Sequence, residues 1–112
     1  MKKINFKLIK NTEIIINEKD INSIYSNNKL SFVIDRIKYS YQNNIFTKET
    51  KEEKIELDFN KEECKIILKE YNNFIKINLS VINISNNDKI TKVEYKVETE
   101  EDVVNIINIE YV

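Results

Sequence analysis

Residues 92–98 read Lys-Val-Glu-Tyr-Lys-Val-Glu, with every second side chain apolar. Successive side chains of a β-strand point to opposite faces, so this alternation predicts a strand with one face in a core and the other in water. The same period of two recurs in six further segments, at residues 4–8, 30–34, 37–41, 55–59, 75–81 and 107–111. A series of such segments is typical of an antiparallel sheet with one solvated face.

Asparagine doublets predict where the chain reverses direction. The chain has 17 asparagines but no glycine or proline, and asparagine is the residue that, after glycine, best tolerates a positive φ. Each doublet lies between two apolar-periodic segments, at residues 27–28, 43–44, 72–73 and 86–87. We therefore expect hairpin turns or short loops at these four places.

Three other segments fit the strand pattern less well. Between residues 60 and 71, apolar residues fit both a helix, at positions 64, 67, 68 and 71, and a strand, at positions 64, 66 and 68, so both stay open for 61–71. A strand is expected over 103–111, although the acids of 99–102 would also suit a helix start. The charged stretch 45–53 is predicted to be a loop.

The segments together predict one all-β domain over residues 1–112. About eight strands in a small antiparallel meander would close, or nearly close, into a barrel, because closure removes the exposed edge strands that promote aggregation. Neither a linker nor an internal repeat divides the sequence.

A family resemblance rests on three stretches: Val93-x-Tyr95-x-Val97, then Asn105-x-Ile107-x-Ile109-x-Tyr111 after a charged turn, and Ile37-x-Tyr39-x-Tyr41-Gln42 in the first half. They resemble the YwiB-like family of uncharacterised bacterial calycin-like β-barrels, although this chain is shorter and lacks the family's turn glycines. The resemblance implies a calycin-like, lipocalin-like barrel with an apolar small ligand in its mouth. It implies no catalytic residues.

Composition excludes several kinds of chemistry. Without histidine the chain has no Ser-His-Asp or Cys-His catalysis and no ordinary zinc site, and without glycine it has no P-loop or dinucleotide-binding turn. The acidic run Glu98, Glu100, Glu101 and Asp102 lacks the spacing of a calcium loop and is interpreted as solvated. We expect no enzyme activity, no metal and no cofactor.

The cysteine content and the length of the apolar runs predict the compartment, and the net charge bears on the binding partners. A single cysteine cannot form an internal disulfide, and no apolar run is long enough for a membrane span or a signal peptide. The net charge of −1 provides no overall attraction for nucleic acid. We expect a cytoplasmic protein with no membrane partner, in which Cys64 packs in the core and is not a nucleophile activated by Lys65 or Lys69.

The candidate site residues are apolar side chains predicted to face the interior, either as core or as the lining of a ligand site. They are Phe32, Ile37, Tyr39, Tyr41, Phe59, Ile77, Tyr95 and Ile107. The first functional hypothesis is non-enzymatic binding of an apolar small molecule in the barrel mouth. The second is a protein-interaction or structural module with a filled core. The third, ranked well below the other two, is single-stranded nucleic-acid binding through Tyr39 and Tyr41 with Arg36 and Lys38.

Overall fold

The computed structural model describes residues 2–112, and every regular element in this range is a β-strand. The strands are β1 (Lys2–Lys10), β2 (Glu13–Ser26), β3 (Lys29–Ile34), β4 (Ile37–Gln42), β5 (Ile45–Glu49), β6 (Glu53–Asp58), β7 (Glu63–Leu68), β8 (Asn73–Asn86), β9 (Ile90–Val97) and β10 (Glu100–Tyr111). Their order, β1-β10-β9-β8-β7-β6-β5-β4-β3-β2, is that of a closed barrel. The all-β fold and the closure are confirmed, whereas the predicted number of about eight strands is too low.

The chain divides into two compact units. Unit 1 comprises Met1–Asn22 and Ser80–Val112, and unit 2 comprises Ser23–Leu79. The strands β2 and β8 contribute residues to both units. The expectation of a single domain stays a prediction.

The core of unit 2 is a row of cross-strand partners. Register pairs join Leu30 to Tyr41, Tyr41 to Phe46, Phe46 to Leu57 and Leu57 to Cys64. All five side chains are at most 8% exposed. Burying each large apolar side chain contributes about 1.5–3 kcal/mol, so this row is a main source of the unit's stability.

The core of unit 1 is centred on β10, which pairs with β1 on one side and β9 on the other. Ile109 lies between Phe6 and Thr91, and Ile107 is the register partner of Val93. All five of these side chains are buried, and the Thr91 hydroxyl is 2.7 Å from the Tyr111 hydroxyl. The prediction of a strand over 103–111 is confirmed, because β10 spans that range.

Asparagine doublets form turns as predicted in two places and in part at the other two. Both residues have positive φ at 27–28 (54° and 62°) and at 43–44 (52° and 60°). At 72–73 only the first asparagine does (46°), and the second begins β8. At 86–87 the Asn87 side chain accepts hydrogen bonds from the backbone N–H groups of Lys89 and Ile90 at 2.8 and 2.9 Å.

Two strands were missed at the sequence level. In β2 alternation fails because isoleucines 14–16 are consecutive and Asp20 takes a positive φ of 55°, which interrupts the pleat. The predicted loop over 45–53 is wrong for its first half: β5 pairs with β4 and β6, and its Phe46 is buried. Because Lys48 and Glu49 of β5 are charged, the sequence predicted a loop here instead of a strand.

The ambiguous segment 61–71 is a strand and not a helix. Residues 63–68 form β7, paired with β6 and β8, and turn residues occupy both sides. The period of two through Cys64, Ile66 and Leu68 is therefore the correct interpretation. The helical spacing of Cys64, Ile67 and Leu68 is fortuitous.

Asn28 provides a test of the turns. Its φ is 62°, and a left-handed conformation costs a residue with a Cβ roughly 1–2 kcal/mol, more for a branched one. We expect Asn28→Val to lower the free energy of unfolding by about that amount and Asn28→Gly to leave it unchanged or raise it, as measured by urea denaturation followed by circular dichroism.

The control is Asn78→Val, at an exposed position inside β8 where a β-branched residue suits the strand. Equal destabilisation by the two valine variants would contradict the turn assignment.

Candidate functional site

The predicted site residues fall into both units. Four of them, Phe32, Tyr39, Tyr41 and Phe59, are buried in unit 2, and Ile107 is buried in unit 1. The other three are Ile37 and Ile77 in unit 2 and Tyr95 in unit 1, which are partly exposed. The structure therefore places most of the set in packed cores.

An aromatic cluster occupies the core of unit 2. The Phe32 and Tyr39 rings stack with centroids 5.4 Å apart and an interplanar angle of 16°, and Tyr39 lies 5.9 Å from Phe46. Burial, with a smaller contribution from the charge of Asp35, raises the pKa of Tyr39. The Tyr41 hydroxyl donates a 3.0 Å hydrogen bond to the Asn44 side chain.

The basic side chains that the nucleic-acid hypothesis requires beside these tyrosines do not share a surface with them. Arg36 and Lys38 are exposed, and Arg36 lies in the β3–β4 turn with a φ of 68°. Lys38 adjoins Tyr39 in β4, so its side chain leaves the opposite face of the sheet. Tyr39 and Tyr41 are 2% and 8% exposed, which leaves their faces inaccessible to a nucleic-acid base.

The first residues of β8 lie outside the core. Ile75 belongs to the apolar alternation of residues 75–81, which predicts that it faces the core, but it is 50% exposed, and residues 73–76 are all exposed. Ile77 and Leu79, further along the strand, are partly and fully buried. The alternation correctly predicted a strand, but it could not show where along the strand the core begins.

Cys64 is part of the core. Its side chain is 5% exposed, and burial raises the pKa of its thiol, so the thiolate is disfavoured. Leu57 and Ile77 are its register partners. This placement matches a packing role and offers no activated nucleophile.

A surface groove lies where two turns of unit 2 meet. It is lined by Lys51, Glu52, Leu68, Lys69, Glu70 and Tyr71, and its volume is about 530 Å³. We call it the turn groove. Leu68 ends β7, and Tyr71 lies in the β7–β8 turn with 73% of its surface exposed. An aromatic ring this exposed is available for contact with another molecule.

Lys69, in the β7–β8 turn, forms hydrogen bonds to the β5–β6 turn and to the end of β5. Its backbone N–H donates to the Glu52 carbonyl at 3.0 Å. Its ammonium group donates to the Glu49 carboxylate at 2.7 Å and to the Thr50 carbonyl at 2.8 Å. Within the β5–β6 turn, the Thr50 hydroxyl accepts hydrogen bonds from the backbone N–H groups of Glu52 and Glu53 at 3.3 and 3.2 Å.

These bonds determine the electrostatics of the groove. The hydrogen bond from Lys69 lowers the pKa of Glu49, and the charge of Lys69 adds to that effect. The Lys69 charge is thus neutralised, while Lys51, Glu52 and Glu70 make no ion pair within the described part of the chain. Sequence reasoning missed this site because Tyr71 and Lys69 acquire their roles only when two separate turns come together.

Comparison of the chain with protein-family models, curated proteins and solved structures gives no match. The YwiB-like resemblance stays a prediction. Among residues 2–112, His, Cys, Asp and Glu do not form a group of three or more that could hold a metal ion. The same range contains no helix long and apolar enough to cross a membrane.

The Glu49–Lys69 pair predicts a pH dependence. Because the folded-state pKa of Glu49 is below its ordinary value of 4.5, the pair stabilises the fold above that value, and its contribution is lost as the pH falls through the folded-state pKa. We expect Glu49→Gln to lower the free energy of unfolding by at most about 1 kcal/mol at pH 7, as for other exposed pairs. The difference from wild type should shrink as the pH falls below 4.5 and through the lowered folded-state pKa.

Urea denaturation at several pH values measures this difference. The control is Glu52→Gln, which removes an exposed carboxylate of the same turn that has no ion-pair partner in the described chain. A Glu49→Gln difference that stays constant as the pH falls below 4.5, down to the acid limit of the folded state, would contradict the assignment.

Proposed function

We propose that this protein is a non-enzymatic binding domain that holds an apolar small molecule in the turn groove. The observation that carries the proposal is the groove of about 530 Å³ with the exposed Tyr71 ring and Leu68 in its wall. Pockets for small molecules have volumes of about 300–1,000 Å³ and are lined by aromatic and aliphatic side chains with a few polar groups. The turn groove has this size, and its lining combines Leu68 and the Tyr71 ring with four charged residues.

The position of Lys69 supports an apolar occupant. Its ammonium group is engaged by Glu49 and Thr50, so the methylene stem is the part left for a ligand. Tyr71 has no side-chain hydrogen bond within the described residues, and its ring would bury a large apolar area against a ligand. Lys51, Glu52 and Glu70 would then orient the polar end of the molecule.

The groove lies at the end of the unit 2 strands where the β5–β6 and β7–β8 turns are found. A ligand in the groove would contact turn residues at this end of the strands. The absence of histidine from the sequence and the burial of Cys64 support a binding role over catalysis. A cytoplasmic location and the calycin-like classification belong to the same proposal.

A protein partner is the second candidate, because one hairpin exposes several large apolar side chains. Besides Tyr71, Phe74 is 49% and Ile75 50% exposed on β8. The Phe74 ring has the ammonium groups of Lys65 and Lys76 at 4.5 and 5.7 Å from its centroid. Large exposed apolar residues grouped on one element are typical of interaction surfaces.

The proposal is tested with N-phenyl-1-naphthylamine, an uncharged dye that fluoresces in apolar surroundings. We expect saturable binding to the wild type and a loss of about tenfold in affinity for Tyr71→Ala, because the ring's contact area is removed. The matched control is Tyr25→Ala, which removes another ring of unit 2 that is 56% exposed and does not line the groove.

Equal affinity of the dye for wild type and Tyr71→Ala would contradict the proposal, as would no binding by the wild type up to the solubility limit of the dye. Native mass spectrometry of the purified protein gives an independent measurement. A copurified small molecule lost in Tyr71→Ala would support the groove, whereas a copurified protein lost in Phe74→Ser would favour the second candidate.

A further inference from the structure

Unit 1 contains a pocket of a different chemical character. Its volume is about 270 Å³, and its polar lining consists of Asn5, Lys7, Asn17, Lys19, Asn108 and Glu110. We call it the polar pocket. Asn5, Lys7, Asn108 and Glu110 leave one face of the paired strands β1 and β10, because Asn5 pairs with Glu110 and Lys7 with Asn108.

One side of the polar pocket is held by hydrogen bonds. The Asn5 side-chain amide donates to Glu110 Oε1 at 2.9 Å. The Asn5 side-chain oxygen accepts from the backbone N–H of Asp20, also at 2.9 Å. Asp20 has a φ of 55°, so the strand carrying the donor departs from regular geometry at this residue. Asn5 is therefore fixed in orientation, and Glu110 is partly satisfied within the protein.

Asn108 is not satisfied in this way. Its Oδ1 atom is buried and has no hydrogen-bond partner in the described chain. A buried acceptor without a donor costs folding free energy, and an apolar residue of similar size would avoid that cost. A donor supplied by a bound molecule would satisfy the atom.

Two cationic residues line the same pocket as Asn108. Lys7 is the register partner of Asn108, and Lys19 lines the same pocket. Neither lysine forms an ion pair or a side-chain hydrogen bond within residues 2–112. Lys92, the partner of Asn108 on β9, lies 3.4 Å from Glu94. The lining thus has two unpaired positive charges and one carboxylate that already accepts from Asn5.

We propose that the polar pocket binds a small hydroxylated anion. Lys7 and Lys19 hold the anionic group, and a rotation of the Asn108 side chain brings its Oδ1, buried in the free protein, to accept a hydrogen bond from a ligand hydroxyl. Charge-assisted hydrogen bonds of this type are roughly twice as strong as neutral ones, which favours an anion over a neutral polyol. The pocket shares no residue with the turn groove, so the proposal is independent of the function proposed above.

Titration of ¹⁵N-labelled protein with glycerol 3-phosphate, inorganic phosphate and glycerol tests the inference by NMR. We expect shifts of the Asn108 and Asn17 side-chain amides, with affinity decreasing from glycerol 3-phosphate to phosphate to glycerol. Combining Lys7→Gln with Lys19→Gln should weaken both anions about tenfold or more, because two charge-assisted contacts are lost.

Asn108→Leu separates the hydroxyl contact from the charge. It should weaken glycerol 3-phosphate about tenfold, leave phosphate unchanged, and keep or raise the melting temperature. The control is Asn105→Leu, which removes the other buried unpaired amide of β10, whose Nδ2 has no partner in the described residues and which does not line the polar pocket. This control should leave both affinities unchanged.

If Asn108→Leu fails to fold, Asn108→Asp keeps the shape and adds a negative charge, which should weaken both anions. Glycerol 3-phosphate binding that is unaffected by the Asn108 variant, or by the lysine pair, would overturn the proposal. So would an affinity for glycerol equal to that for glycerol 3-phosphate.

Discussion

Antiparallel pairing in a single register is the constraint on which the structure depends. Side chains alternate between faces, so a slip of one residue between two strands would move a buried set to the surface. In unit 2 the row from Leu30 through Phe46 to Cys64 stays buried only in the observed register. In unit 1 the same holds for Ile109 between its partners on β1 and β9. The doublets Asn27–Asn28 and Asn43–Asn44 provide two of the unit 2 turns without any glycine.

The sequence predicted a strand correctly wherever the apolar alternation matches the burial of one face of that strand. Alternation identified the strands that carry Phe32, Tyr41 and Val93, because one face of each is buried and the other is solvated. It missed β2, where three isoleucines in a row and the positive φ of Asp20 break the period. It also placed Ile75 inside, because periodicity reports the face of a strand and not the depth of the core along it.

Neither candidate site could be read from local sequence. Tyr71 and Lys69 line the turn groove because the β5–β6 and β7–β8 turns are joined by hydrogen bonds between residues about twenty positions apart. Asn108 becomes an unpaired buried acceptor next to Lys7 only through the pairing of β1 with β10, at opposite ends of the chain. Sequence patterns directed attention to Tyr39 and Tyr41, whose apolar periodicity in fact reports the core. Both candidate sites occupy turns or polar faces, where periodicity carries no signal.

The most direct test of the register is a measurement of cross-strand nuclear Overhauser effects in the core of unit 2. Directly opposed side chains in antiparallel strands have Cβ atoms about 4.5–5.5 Å apart, within range of the effect. The observed pairing predicts strong side-chain contacts between Phe46 and both Tyr41 and Leu57. Contacts displaced by one residue, such as Tyr41 with Ile45 and Phe46 with Glu56, would contradict the register of unit 2 and with it that unit's core and the turn groove.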